Sequence, residues 1–316
     1  MIELPPTRPA RFRIVRPLAE GGFSAIHVAH DEELNREVAL KEMRGRFANH
    51  AWARSRLLFE AEVTAGLEHP GVVPVHGLGL HDDGRAFFTM RYVRGRDLKK
   101  ATESVHRTGD PEERDAQVRR LLDRLVDACY TVHFAHGRGI LHRDLTPSNI
   151  MIGAHGETLV VDWGLAKRLD GLAEPDHGIE PDWPATVRGL TGTRMGESVG
   201  TPSYMSPESA LGRLDRLGPA TDVYSLGATL YKVLTGRSPF RGTDAEIADR
   251  TGRNEFPPPR KHRPGIDPDL EAVCLRAMER EPEDRFQTPI DLGDAIADWL
   301  AENPADASLE ALANKS

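Results

Sequence analysis

Three polar side chains near the middle of the chain have the types and spacing for one kind of chemistry. Asp144 and Asn149 lie five apart in Leu141-His142-Arg143-Asp144-Leu145-Thr146-Pro147-Ser148-Asn149, a stretch that reads as a loop. A turn at Gly156 and a short strand, Thr158 to Val161, then lead to Asp162-Trp163-Gly164. A carboxylate, an amide and a second carboxylate in this order suit phosphoryl transfer from ATP. One acid accepts the proton of an attacking hydroxyl, while the amide and the other acid hold magnesium against the phosphates. All-oxygen ligation of that kind fits a hard cation with octahedral preference.

The flanking sequence must supply elements that position these groups. Arg11 to Leu18 and Ala25 to Ala29 read as strands joined by a hairpin at Gly21-Gly22, and Glu37 to Met43 as a third strand. Trp52 to Leu67 carries Leu58, Phe59, Val63 and Leu67 at helical spacing and stops at His69-Pro70-Gly71. Two more strands are predicted, Val72 to Leu80 and Ala86 to Val93. After Gly95 the pattern turns helical. Leu121, Leu125, Ala128, Val132 and Ala135 mark one long helix, and Val223, Leu226, Leu230 and Val233 a second. Leu270 to Met278 and Ile290 to Leu300 suggest two more. A small sheet-rich part would meet a larger helical part near residue 93 and leave a ligand cleft at the junction. The predicted fold class is α+β.

Composition narrows the function classes. The 316 residues suit about two domains. With 41 basic against 49 acidic residues the formal charge is −8, which argues against a general nucleic-acid or anionic-membrane binder. Cys129 and Cys274 fall in apolar helical patterns and read as reduced core thiols of a cytoplasmic protein. Met1-Ile2-Glu3-Leu4-Pro5-Pro6 has neither the basic start nor the apolar core of a signal peptide. No run of about 18 apolar residues offers a membrane span.

Taken in order, these motifs resemble those of eukaryotic-type (Hanks-type) serine/threonine protein kinases of the bacterial kind, from about Arg11 to about Leu300. The resemblance implies a two-lobed protein-kinase fold: a small antiparallel-sheet N-lobe with one main helix (11–92) and a mainly helical C-lobe (93–301). It places an activation segment at 162–208, a lead-in at 1–10 and a polar tail at 302–316. ATP and Mg2+ are the implied cofactors. Asp144 becomes the base that orients the hydroxyl, and Asn149 and Asp162 the metal ligands. Val38-Ala39-Leu40-Lys41 matches the strand whose lysine holds phosphates, with Glu60 as its helix partner and Glu62 as fallback. Leu18, Gly21, Gly22, Ile26, Ala39, Met90 and Val93 are the expected nucleotide contacts, Met90 as gatekeeper and Val93 as the hinge backbone. His142 is implied to be structural, and Trp163 to fill the apolar site below the cleft.

Three positions depart from the family pattern. Ala19 and Ser24 replace the outer glycines of the phosphate-covering loop, which implies a stiffer lid. Thr146 stands where lysine usually neutralises the transferring phosphoryl group; losing one such donor costs roughly 10² to 10³ in rate. These departures raise the alternative of a pseudokinase acting as a nucleotide-binding scaffold. The retained Lys41, Asp144, Asn149 and Asp162 weigh against it. A small-molecule phosphotransferase is a third reading, opposed by Gly200-Thr201-Pro202-Ser203-Tyr204-Met205-Ser206-Pro207-Glu208, by Asp222 and by Arg285, which resemble the apparatus that holds a protein substrate. Thr201 is expected to position that substrate's hydroxyl, Glu208 to pair with Arg285, and Asp222 to brace the catalytic loop. Thr191, Thr193 and Ser198 are candidate phosphorylation sites, with Arg56, Arg143 and Lys167 as the basic pocket that would receive the phosphate. The resemblance also admits a homodimer formed through the sheet-rich part.

Overall fold

Strand β3 shows how the smaller lobe is built. In this strand, Arg36–Met43, Val38 and Leu40 point to one face and Ala39, Lys41 and Met43 to the other. The first set packs with Ala29 and Phe87, the second with the helix layer, so β3 is buried on both sides. It sits at the centre of a five-stranded antiparallel sheet ordered β1-β2-β3-β5-β4, where β1 is Phe12–Glu20, β2 Ser24–Asp31, β4 Val75–Leu80 and β5 Ala86–Arg91. The register sets Lys41 between Ile26 and Phe88, and Ala39 opposite Met90. A computed structural model provides these coordinates and describes residues 11–48, 50–169 and 202–304. The lead-in at 1–10, most of the polar tail, and Thr191, Thr193, Ser198 and Thr201 lie outside the described residues.

Helix α1, Ala51–Gly66, is buried on two sides. Ala53, Leu57 and Ala61 pack under the sheet with Met43 and Phe88, whereas Phe59 and Val63 join the core of the larger lobe. The predicted single face through Leu58 therefore missed Leu57, which is fully buried. A second difference lies at Val72. It was expected to open a strand, yet β4 begins only at Val75. Val72 and Val73 are apolar because they are buried in the core; Val72 makes a lone parallel bridge to Val160.

The larger lobe follows strand β6 (Gly95–Asp97) and helix α2 (Leu98–Val105). Helix α3, Pro111–His136, starts on an Asp110 cap with proline at its first position. The pair β7 (Ile140–Leu141) and β10 (Lys167–Arg168) and the sheet of β6, β8 (Ile150–Gly153) and β9 (Thr158–Val160) frame the loop between them. After the short α4 (Pro207–Ala210) comes α5, Pro219–Thr235, buried on every side from Ala220 onward. Such a helix is the axis of a core rather than a surface stripe. Against it pack α3, α7 (Pro259–His262), α8 (Pro268–Ala277) and α9 (Pro289–Glu302), while α6 (Asp244–Arg253) packs on α4. Gly227 of α5 permits the closest approach: a Cβ there would lie 2.7 Å from that of Ala277 on α8. Among the described residues no helix is long and apolar enough to cross a membrane.

Candidate active site

Because side chains alternate along β3, Lys41 must point toward α1, and there it meets Glu60. Lys41 Nζ donates to Glu60 Oε1 at 2.6 Å and to Asp162 Oδ1 at 3.1 Å. Two carboxylates thus share one buried ammonium. Burial disfavours its charge, but the attraction of Asp162 and Glu60 outweighs that and raises the lysine's pKa. Glu60 is pushed up to about 7, chiefly by burial. Its second oxygen, Oε2, is buried and has no hydrogen-bond partner among the described residues. Glu62, the fallback partner, is exposed and lies beside Arg168 instead.

Asp162 adopts a left-handed backbone conformation, φ 66° and ψ 65°, which is uncommon for a residue with a Cβ and occurs where a side chain must be aimed. The ammonium of Lys41 holds its carboxyl below the usual range, so it is ionised at neutral pH. Its side chain nonetheless keeps 45% of its surface open, so that charge faces the cleft. Gly164 follows because there is no room for more: a Cβ there would sit 3.1 Å from both Asp162 Oδ1 and Glu60 Oε2. Trp163 is fully buried, its ring centre 4.5 Å from that of His142 and its indole N–H donating to Val160 O at 3.4 Å.

The loop from His142 to Asn149 is held from below. Asp222, fully buried near the start of α5, accepts the backbone N–H groups of His142 and Arg143 at 2.8 Å each. It also meets His136 Nε2 at 2.7 Å, a partner that no sequence motif signalled. Burial opposes the charge of Asp222, but these bonds, led by the one to His136, keep its pKa depressed. Arg143 takes φ 66°, which turns the chain sharply before Asp144. The His142 ring bridges Val161 O at 3.2 Å and the Asp144 N–H at 3.3 Å, an arrangement that fits a neutral imidazole protonated on Nε2. Burial lowers its pKa in the same sense. Asn149 Nδ2 donates to the Asp144 carbonyl at 2.7 Å and weakly to its carboxylate at 3.3 Å, leaving the amide oxygen free for a cation. Burial, reinforced by the negative charge of Asp162, pushes Asp144 up to about 7.

Over this floor lies the Gly21-Gly22 turn. Arg44 donates to the carbonyl of Gly21 at 3.1 Å and Arg46 to that of Gly22 at 3.0 Å. Phe23 at its tip packs edge-on against Trp52 of α1, with ring centres 5.5 Å apart. Leu18, Ile26 and Ala39 line the strands beside this turn, and Met90 and Val93 end the strand and open the link to the helical lobe. Below the loop, Arg285 pairs with Glu208 through two hydrogen bonds of 2.9 and 2.8 Å. Lys167 is brought next to the loop by pairing with Leu141, and the Arg56 guanidinium stands over the Phe59 ring at 5.6 Å.

Comparison with known proteins agrees with this architecture. A family model described as a protein kinase domain matches residues 12–290. The serine/threonine-protein kinase PknD of Chlamydia trachomatis serovar L2b (strain UCH-1/proctitis) is 35% identical over 305 residues, covering 93% of this chain and 32% of that protein. The PknD of Protochlamydia amoebophila (strain UWE25) is 32% identical over 297 residues, covering 92% and 30%. The chain thus spans about a third of the length of these curated relatives. The crystal structure of the Mycobacterium tuberculosis PknI kinase domain has the same fold, with a TM-score of 0.63 and 24% identity over 92% of this chain and 97% of that one.

Proposed function

This chain belongs to the protein kinase family, whose members use ATP and typically Mg2+, and we propose that it transfers the γ-phosphoryl group of ATP to serine or threonine hydroxyls of proteins. The observation that carries this reading is the convergence of Glu60 and Asp162 on the Lys41 ammonium, beside the Asp144–Asn149 pair. Apart from the substitutions at Ala19, Ser24 and Thr146, nothing among the described residues of the site favours a nucleotide-binding scaffold over a working enzyme.

Lys41, held in place by Glu60, offers a fixed positive charge to the phosphates. The backbone of Gly21 and Gly22 covers them, Leu18, Ile26, Ala39 and Met90 enclose the base, and Val93 meets it through its backbone. Asn149 and Asp162 fit a magnesium ion, since both present oxygen and Asp162 is ionised and open to the cleft. Magnesium, when bound, would neutralise charge on the phosphates. Asp144 takes the proton of the acceptor hydroxyl; its raised pKa makes it a competent base near neutral pH. Thr201 would position that hydroxyl. Thr146 brings no charge to the transfer, so Lys41 and the metal site carry the electrostatic stabilisation that a lysine there would share.

Regulation follows the same chemistry. A phosphate on Thr191, Thr193 or Ser198 would dock beside Arg143 and Lys167, with Arg56 linking it to α1. Intact-mass analysis after incubation with Mg-ATP tests the proposal. Added phosphates on the wild type and none on Asp162→Ala would uphold it, and their loss in a triple alanine variant of those three residues would place them. No added phosphate and no transfer to a general protein substrate would overturn it.

A further inference from the structure

In a chain with a net charge of −8, cations stand on two elements that pack against the turns at 147–149 and 202–204. Helix α2 packs against the turn at Pro147–Asn149, so Lys99 in its first turn borders the loop that carries Asp144. From the other side the Pro202–Tyr204 turn is pinned to the loop after α5. Ser203 Oγ donates to Phe240 O at 3.0 Å, and the Tyr204 hydroxyl lies 3.1 Å from Ser238 Oγ. That loop carries Arg237 and Arg241, both exposed. Behind it, near the end of α5, Lys232 is only 7% exposed; it donates to Gly236 O at 2.9 Å.

The charges here are not balanced. Glu103, at 3.8 Å, is the one carboxylate within ion-pair range of Lys232 among the described residues, and it stands 38% open. Lys99, Arg237 and Arg241 form no ion pair with a described residue. Burial lowers the pKa of Lys232, and the nearby positive charges of Lys99 and Arg241 lower it further. Like charges gathered on a surface repel one another, and an anion that settles among them relieves the repulsion. A protein substrate would lie between α2 and the Pro202–Tyr204 turn to bring its hydroxyl to Asp144.

We propose that Lys99, Arg237 and Arg241, with Lys232 behind them, form a docking subsite for an acidic stretch of the protein substrate flanking the residue to be phosphorylated. This inference rests on the kinase reading and adds the chemical class of the substrate. Charge complementarity of this kind sets specificity and encounter rate. The subsite is assembled from α2, the end of α5 and the loop that follows it, so no single sequence motif announces it.

Binding and turnover test it separately. A labelled threonine peptide flanked by glutamates, and its isostere with glutamines, would be titrated by fluorescence anisotropy against the full chain. The acidic peptide should bind about tenfold tighter at low salt, a gap that closes as salt is added. Arg237→Glu with Arg241→Glu should abolish that preference and transfer it to a lysine-flanked peptide. Lys99→Glu, on a different element, should weaken the acidic peptide independently. Equal affinity for acidic and glutamine peptides, or reversal variants that leave the preference unchanged, would overturn the subsite. Selective binding without phosphoryl transfer to any peptide would uphold the subsite and overturn the kinase reading.

Discussion

Of the buried charges among the described residues, two clusters, one in the cleft around Lys41 and one around Arg285, are completed to different degrees. Arg285 uses all five of its N–H donors. Two go to Glu208, and the others to the carbonyls of Ala220, Glu279 and Arg280 at 2.7 to 2.9 Å. Glu208 in turn accepts from the Thr221 hydroxyl at 3.0 Å. Around Lys41 the satisfaction is partial. Glu60 keeps a buried oxygen with no hydrogen-bond partner among the described residues, Asp162 is 45% open, and its backbone is left-handed. A finished network holds a shape. An unfinished one, strained and facing a cleft, is where a ligand completes the bonding.

That contrast predicts which kind of damage each cluster suffers. Lys41→Met should reduce phosphoryl transfer at least about 10³-fold, measured as initial rate with saturating peptide, because a preorganised charge at the phosphates is lost. Arg285→Ala should act on stability instead. It leaves Glu208 buried and unpaired, so chemical denaturation should show a loss of about 3–5 kcal/mol. If Arg285→Ala cut turnover as deeply as Lys41→Met with its unfolding midpoint unchanged, the division of labour would be wrong.

Asp222 links the two regions, being buried with the structural cluster yet bonded to the backbone of the catalytic loop. Asp222→Asn can satisfy only part of what the carboxylate does for His142, Arg143 and His136. It should cost about 1–3 kcal/mol in denaturation and lower turnover as well. The gentlest probe is pH. Asp144 must be ionised to take a proton, and burial sets its pKa at about 7. Turnover should therefore fall about tenfold per unit as pH drops below that value and level off above it. A flat profile through this window would remove Asp144 from the role of base.

Much of this was legible in the sequence, for reasons that differ by residue. Asp144, Asn149 and Asp162 stood out as candidates because local spacing fixes their order along a loop and a short strand, and the Gly164 beside Asp162 is required by a close approach. Lys41 and Glu60 were picked out by their resemblance to the family's strand and helix motifs, and the structure pairs them. Leu57 was missed because α1 is buried on two sides, which erases the single apolar stripe on which periodicity depends. Val72 was read as strand because a buried coil residue and a strand residue can share a composition. His136 was invisible: it reaches Asp222 across 86 residues of chain, a meeting that only the packing of α3 against α5 creates. The cations at Lys99, Arg237 and Arg241 were dispersed for the same reason.

The central claim is that Asp162 and its neighbours form a working phosphoryl-transfer site rather than a relic of one. It is tested most directly by the initial rate of transfer from radiolabelled ATP to a threonine peptide, for the wild type and for Asp162→Asn, with magnesium present and with it chelated. The account predicts magnesium-dependent transfer by the wild type, and a fall of at least about 10²–10³-fold in Asp162→Asn. The variant's fold should be intact by thermal unfolding, since its side chain is partly open. Equal rates in the two proteins, or a wild type that transfers nothing while still binding ATP, would contradict it.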